Sequence, residues 1–133
     1  MKALRLRVET ERREQVVLVR QQVEEALRSM GAEEGLCHLY SPHTTAAVSV
    51  NEGADPDVAG DLLRHLEGAV PWEAGYRHAE GNAAAHIKAV LVGPSVTVAV
   101  EGGRLALGTW QDVYFCEFDG PRKRTLEVRF LPG

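Results

Sequence analysis

Residues 43–52 read His43-Thr44-Thr45-Ala46-Ala47-Val48-Ser49-Val50-Asn51-Glu52, and their alternation decides the fold. Thr44, Ala46, Val48 and Val50 fall on one face, and His43, Thr45, Ala47, Ser49 and Asn51 on the other. A period of two predicts a strand with one wall against a core. Asp55-Pro56-Asp57 follows, an N-cap with proline at the first helical position, so a helix comes next with Val58, Leu62, Leu63 and Leu66 on its buried stripe. Upstream, Leu4, Leu6 and Val8 alternate with Arg5, Arg7 and Glu9 as a half-buried strand, and 16–19 reads as a short second one. Val19, Val23, Ala26, Leu27 and Met30 then recur at helical spacing before a terminating Gly31, and 36–40 is another strand. Downstream, Asn82 caps a third helix with Ile87, Val90 and Leu91 facing the core and Gly93 at its end. Strands at 95–100 and 104–107 are joined by Gly102-Gly103, and two more lie at 113–118 and 125–130. Seven or eight strands with about three helices, the strands consecutive toward the end, predict an α+β fold built on an antiparallel β-sandwich.

A chain of 133 residues is the length of one domain, read here as 1–133. Its hydrophobic share of 44% and charged share of 26% exclude a disordered or fibrous class. No apolar run approaches the roughly 20 residues of a membrane span. The opening Met1-Lys2-Ala3-Leu4-Arg5 is too charged for a secretory leader, so no membrane partner and a cytoplasmic location are expected. The net charge of −4, with Arg122-Lys123-Arg124 as the one basic cluster, argues against nucleic acid as a partner. Cys37 and Cys116 match no metal-ligand spacing and lie in apolar runs, where buried reduced thiols are expected.

The chemistry-bearing residues concentrate between His43 and Gln111. His78 and His86 lie eight apart, one on an extended approach and the other in the first turns of a helix. Partial positive charge at a helix N-terminus disfavours imidazolium, so His86 is expected neutral, the form a metal needs. His43 opens a strand face. If these three imidazoles converge, they suit a divalent metal, zinc or magnesium, with water completing the site; otherwise they are histidines hydrogen-bonded at a subunit contact. Glu80 sits two residues from His78, so in extended backbone both point the same way; its carboxylate orients the imidazole, takes a proton from bound water, or is simply a solvated loop glutamate. Glu52 is read as metal ligand, general base or turn-stabilising acid. Thr44, Thr45, Asn82 and the free N–H groups opening the third helix could hold a phosphate, the other readings being strand surface for Thr45 and a helix cap alone for Asn82. Trp110 with Gln111 could stack on and hydrogen-bond a flat heterocycle, unless Trp110 is a core or interface anchor. Asn51 lies eight residues from His43, about 26 Å on one straight strand. The two can meet one small ligand only if the chain bends or another subunit contributes. His38 and the His65–Asp61 pair read as structural, and Arg122 as a solvated turn residue.

Four runs, HTTAAVSVNE (43–52), DPDV (55–58), HAEGNAAAH (78–86) and LGTWQDVYFCEFDGPR (107–122), resemble the YjbQ family, also called UPF0047. The departure is Ala99, where the family carries proline near a strand end. The resemblance covers nearly the whole chain and implies an α+β fold with a large β-sandwich, a homotrimer, and a weak or secondary thiamine-phosphate synthase activity. Two function classes follow. One is an enzyme for a small phosphorylated metabolite, either synthase-like or a metal-dependent hydrolase. The other is a trimeric protein that binds a metabolite or metal without turnover. No serine nucleophile elbow or glycine-rich phosphate loop decides between them.

Overall fold

The computed structural model describes residues 1–133. In chain order the elements are β1 (Lys2–Glu9), β2 (Gln15–Leu18), α1 (Arg20–Ser29), β3 (Gly35–Tyr40), β4 (Ala46–Glu52), α2 (Pro56–Ala69), α3 (Ala83–Val92), β5 (Ser95–Glu101), β6 (Arg104–Leu105), β7 (Gln111–Glu117) and β8 (Lys123–Pro132). They form a five-stranded sheet, β1-β8-β3-β5-β6, and a three-stranded sheet, β2-β7-β4, with every neighbouring pair antiparallel. The expected class, α+β on antiparallel sheets with three helices, is the one observed.

Alternation explains how the layers meet. Leu126, Val128 and Phe130 of β8 point the same way as Cys37 and Leu39 of β3 and meet Val113 and Phe115 of β7 and Ala46 and Val48 of β4 in one buried cluster between the sheets. α1 closes this core with Val23, Ala26 and Leu27. The other face of the small sheet, Ala47, Tyr114 and Cys116, carries a second cluster against Leu66 of α2 and Ala85 and Ala89 of α3. The order is therefore large sheet, small sheet, helices. Gly102 and Gly103 both have positive φ, 57° and 76°, which a two-residue β5–β6 hairpin requires and which L side chains rarely adopt.

Four expectations are corrected. The strand predicted from His43 begins only at Ala46, because the Ser41 hydroxyl donates to the Ala46 carbonyl at 3.0 Å and accepts from the His43 N–H, bending the chain across 43–45. The last-but-two strand stops at Leu105 rather than 107. On α2 only Leu66 is fully buried, Leu62 and Leu63 being half-buried and Val58 exposed. On α3 the expected inward residues Ile87, Val90 and Leu91 are exposed, Val90 by 79% and Leu91 by 63%. The buried side of that helix is Ala84, Ala85, Lys88 and Ala89. Small residues let the helix lie close on β4, and Lys88 tolerates complete burial because its ammonium meets both Glu14 and Glu67. Cys37 and Cys116 are buried free thiols, and burial pushes both up to about 12.

Phe115 lies wholly inside the inter-sheet core. Phe115→Ala is expected to cost about 3–5 kcal/mol, read as a lowered urea midpoint with an unchanged slope.

Candidate functional site

The register of β4 against β7 separates the sequence-derived site residues into two groups. Ala46 pairs with Glu117 at one end of the ladder and Glu52 with Gln111 at the other. Six residue steps separate the ends, about 20 Å.

The first group surrounds the N-terminal half of α3. The rings of His78 and His86 meet edge to face, their centroids 5.1 Å apart at 80°. Glu80 Oε2 stands 3.9 Å from His78 Nε2, and both side chains are exposed. His86 also lines a cleft of about 260 Å³ together with His43 and Thr44, so this one imidazole borders both of the others. No three His, Cys, Asp or Glu side chains of the chain come together to hold a metal ion, so one chain supplies at most two of the four ligands a zinc site takes. Asn82 occupies the N-cap position of α3 without capping it. Its Nδ2 donates to Asp119 Oδ2 at 2.8 Å, and its Oδ1 is buried with no partner. By contrast Asp55 caps α2 as expected, Oδ1 accepting from the Asp57 N–H at 2.9 Å.

Behind His43 lies a network that the sequence reading missed. Arg124 of β8 and Glu117 of β7 form a two-pronged ion pair, Arg124 5% and Glu117 0% exposed. Glu117 also accepts from the Thr10 hydroxyl at 2.8 Å and the Asp119 N–H at 3.0 Å, while Arg124 donates to Thr45 Oγ1 at 2.8 Å. Thr45 is thereby engaged inside the protein, whereas Thr44 faces outward. A signal for the pair was present. Arg124 shares parity with Leu126, Val128 and Phe130, and Glu117 with Val113 and Phe115, so both charges fall on inward-facing positions. Arg122, singled out instead, is half-exposed and bonds Asp119. His43 sits above this network with Nε2 accepting from the Thr125 N–H at 2.9 Å. Burial, helped by the nearby Arg124 guanidinium, holds its pKa below the usual histidine value.

The second group is at the far end. Glu52 Oε2 accepts from the N–H groups of Ala54 and Asp55 at 2.7 and 3.2 Å, the contacts its turn-stabilising reading calls for. A Cβ on Gly53 would stand 2.4 Å from that of Asp112, which explains the glycine there. Asn51 Oδ1 accepts from the Glu52 N–H, Gln111 Oε1 from the Gly108 N–H, and the Trp110 carbonyl from the Gly53 N–H. The Trp110 side chain itself is 66% exposed. His38 stacks on Tyr40 on the large sheet's open face. Asp61 pairs with Arg64 rather than with His65.

The architecture defines a class, a two-sheet α+β protein with a histidine cluster at one end of its helix-covered sheet. The chain belongs to the family described as UPF0047 protein YjbQ-like, whose model it matches over residues 4–133. It is 48% identical over 127 residues to UPF0047 protein YugU of Bacillus subtilis, covering 95% of this chain and 96% of that protein. Among solved structures, a hypothetical protein of Aeropyrum pernix superposes with a TM-score of 0.95 at 41% identity over the whole of both chains. A conserved hypothetical protein of Thermus thermophilus does so at 0.90 and 46% identity, covering 96% of this chain and 99% of that one.

Two outcomes are expected. Arg124→Met leaves Glu117 buried and unpaired, costing about 3–5 kcal/mol by urea unfolding, and adding Glu117→Leu recovers much of that loss. For His43, folding lowers the pKa, so the unfolded chain binds its proton first on acidification. Stability therefore falls as pH drops below 6.5, the unfolded value. That share of the decline, set first by burial of the ring and then by the Arg124 and Arg122 charges, against the opposing Thr125 hydrogen bond and Glu117 carboxylate, should vanish in His43→Asn.

Proposed function

We propose that the chain is a cytoplasmic enzyme acting on a small phosphorylated metabolite, working as a homotrimer with its reacting centre at His78, His86 and Glu80. The observation that carries this reading is the meeting of the His78 and His86 rings at 5.1 Å, with the Glu80 carboxylate 3.9 Å from His78. Two imidazoles and a carboxylate, open to solvent beside a cleft, form a proton-handling set. The buried reduced thiols Cys37 and Cys116 accord with a reducing compartment.

His78 and His86 would hold a divalent metal, zinc or magnesium, together with water, substrate oxygens or donors of another subunit. When bound, the ion supplies Lewis-acid stabilisation of charge on phosphate oxygens. Glu80 orients His78 or accepts a proton from a bound nucleophile. Thr44 meets the substrate's phosphate. In the finer reading, drawn from the family resemblance, a pyrimidine diphosphate loses pyrophosphate and the thiazole nitrogen attacks the freed methylene carbon. Lysine assists little here, since Lys88 is buried against Glu14 and Glu67.

The trimer rests on two features. Ile87, Val90 and Leu91 form an exposed apolar stripe on α3, with Val90 bordering the histidine cleft. Asn51, Trp110 and Gln111 gather at the Glu52 end of the β4–β7 ladder and the histidine cleft at its Ala46 end, about 20 Å of strand apart, so contact with the same ligand calls for a neighbouring subunit's copy of them.

The test supplies purified protein and zinc or magnesium with the pyrimidine diphosphate and thiazole phosphate, then with a panel of phosphorylated metabolites, and follows product by mass spectrometry. Turnover is expected in the wild type. Glu80→Gln should slow it about a hundredfold or more and His78→Ala should abolish it. No turnover on any substrate, or an unaffected Glu80→Gln, refutes the enzyme. Sedimentation should give about three times the 14.6 kDa chain mass. Val90→Glu should drive the protein toward monomers.

A further inference from the structure

We infer that His43 is a fixed hydrogen-bond donor to an anionic oxygen, and stays outside any metal site that His78 and His86 build. This rests on the proposed reacting centre only for its substrate; the placement of the ring stands on geometry. His43 Nε2 accepts the Thr125 N–H at 2.9 Å. A ring nitrogen that accepts a hydrogen bond uses the lone pair a metal would need, and it carries no proton. The neutral ring's one proton is therefore on Nδ1. That nitrogen has no partner in the chain, and the only buried side-chain polar atom without one is Asn82 Oδ1, so Nδ1–H remains open to a ligand.

The surroundings decide what the donor faces. The cleft of about 260 Å³ takes its polar wall from His43, Thr44 and His86, with Ala46, Ala89 and Pro94 among the rest, and contains no carboxylate. Its polar side chains are imidazole and hydroxyl, groups able to donate to an oxyanion, and a cation would find no formal negative charge there. Thr125 follows Arg124 on β8, so the ion pair with Glu117 holds the very strand that fixes the ring. The ligand class is a phosphoryl group or another oxyanion of similar size.

Nitrogen-resolved NMR on the intact wild-type protein near neutral pH tests this. Long-range proton–nitrogen correlations should show His43 protonated at Nδ1 alone. Titration with inorganic phosphate should move the His43 Nδ1 resonance, and titration with zinc should move His78 and His86 while leaving His43 in place. His43→Asn keeps an N–H near the Nδ1 position and should retain phosphate binding within about threefold, whereas His43→Ala should weaken it about tenfold. A His43 protonated at Nε2, a resonance indifferent to phosphate, or a zinc response equal to that of His78 would each overturn the inference. These readouts need no turnover, so an inactive protein would refute the proposed function and leave this result intact.

Discussion

Glu117 and Arg124 come from different sheets, β7 and β8, and their ion pair lies out of water where the two sheets approach. Burying either charge alone costs several kcal/mol, so the arrangement survives only because the guanidinium fork and the carboxylate satisfy each other and recruit neutral partners. Thr10, just past β1, donates to Glu117, and Thr45, just before β4, accepts from Arg124. Four separate stretches of chain are thus pinned at one point. The pair fixes Thr45 at the end of the bend that Ser41 shapes, and it holds β8 beside His43.

A second buried charge works the same way on the helical side. Lys88 holds α3 through Glu67 of α2 and Glu14 ahead of β2. Burial pushes the Glu14 carboxyl upward, whereas the hydrogen bond from Lys88 holds Glu67 down. With this anchor and a floor of alanines, α3 needs no large aliphatic residues inside. Its valine and leucine are left on the outer surface, beside the cleft, where a second copy of the chain could cover them.

The polar residues at the far end of β4 contrast with those at the near end. Glu52, Asn51 and Gln111 are engaged with nearby backbone N–H groups, and they shape turns. His78, Glu80 and His86 have few internal partners, and Trp110 is open to solvent. Residues that the interior does not use are the ones available to a ligand or a neighbour. On that ground the proposed reaction is assigned to the histidine end rather than the turn end.

Local periodicity was enough to reveal the strands, the three helices, the proline-led start of α2 and the glycine hairpin, because each depends on neighbours a few residues away and on backbone sterics that travel with the residue. The runs around His43, His78 and Trp110 likewise pointed to the family. Which side of α3 would be buried was beyond that reading: apolar spacing favoured Ile87, Val90 and Leu91, and only the distant carboxylates of Glu14 and Glu67 made Lys88 an acceptable interior residue. Arg124 and Glu117 lay on inward positions, yet their pairing depends on two strands of different sheets coming together. The same is true of the candidate site. Its residue types were visible in the chain, but the meeting of His78 with His86, the backbone hydrogen bonds of Glu52 and the bond from Thr125 to His43 were decided by partners brought close only when the sheets and helices assembled.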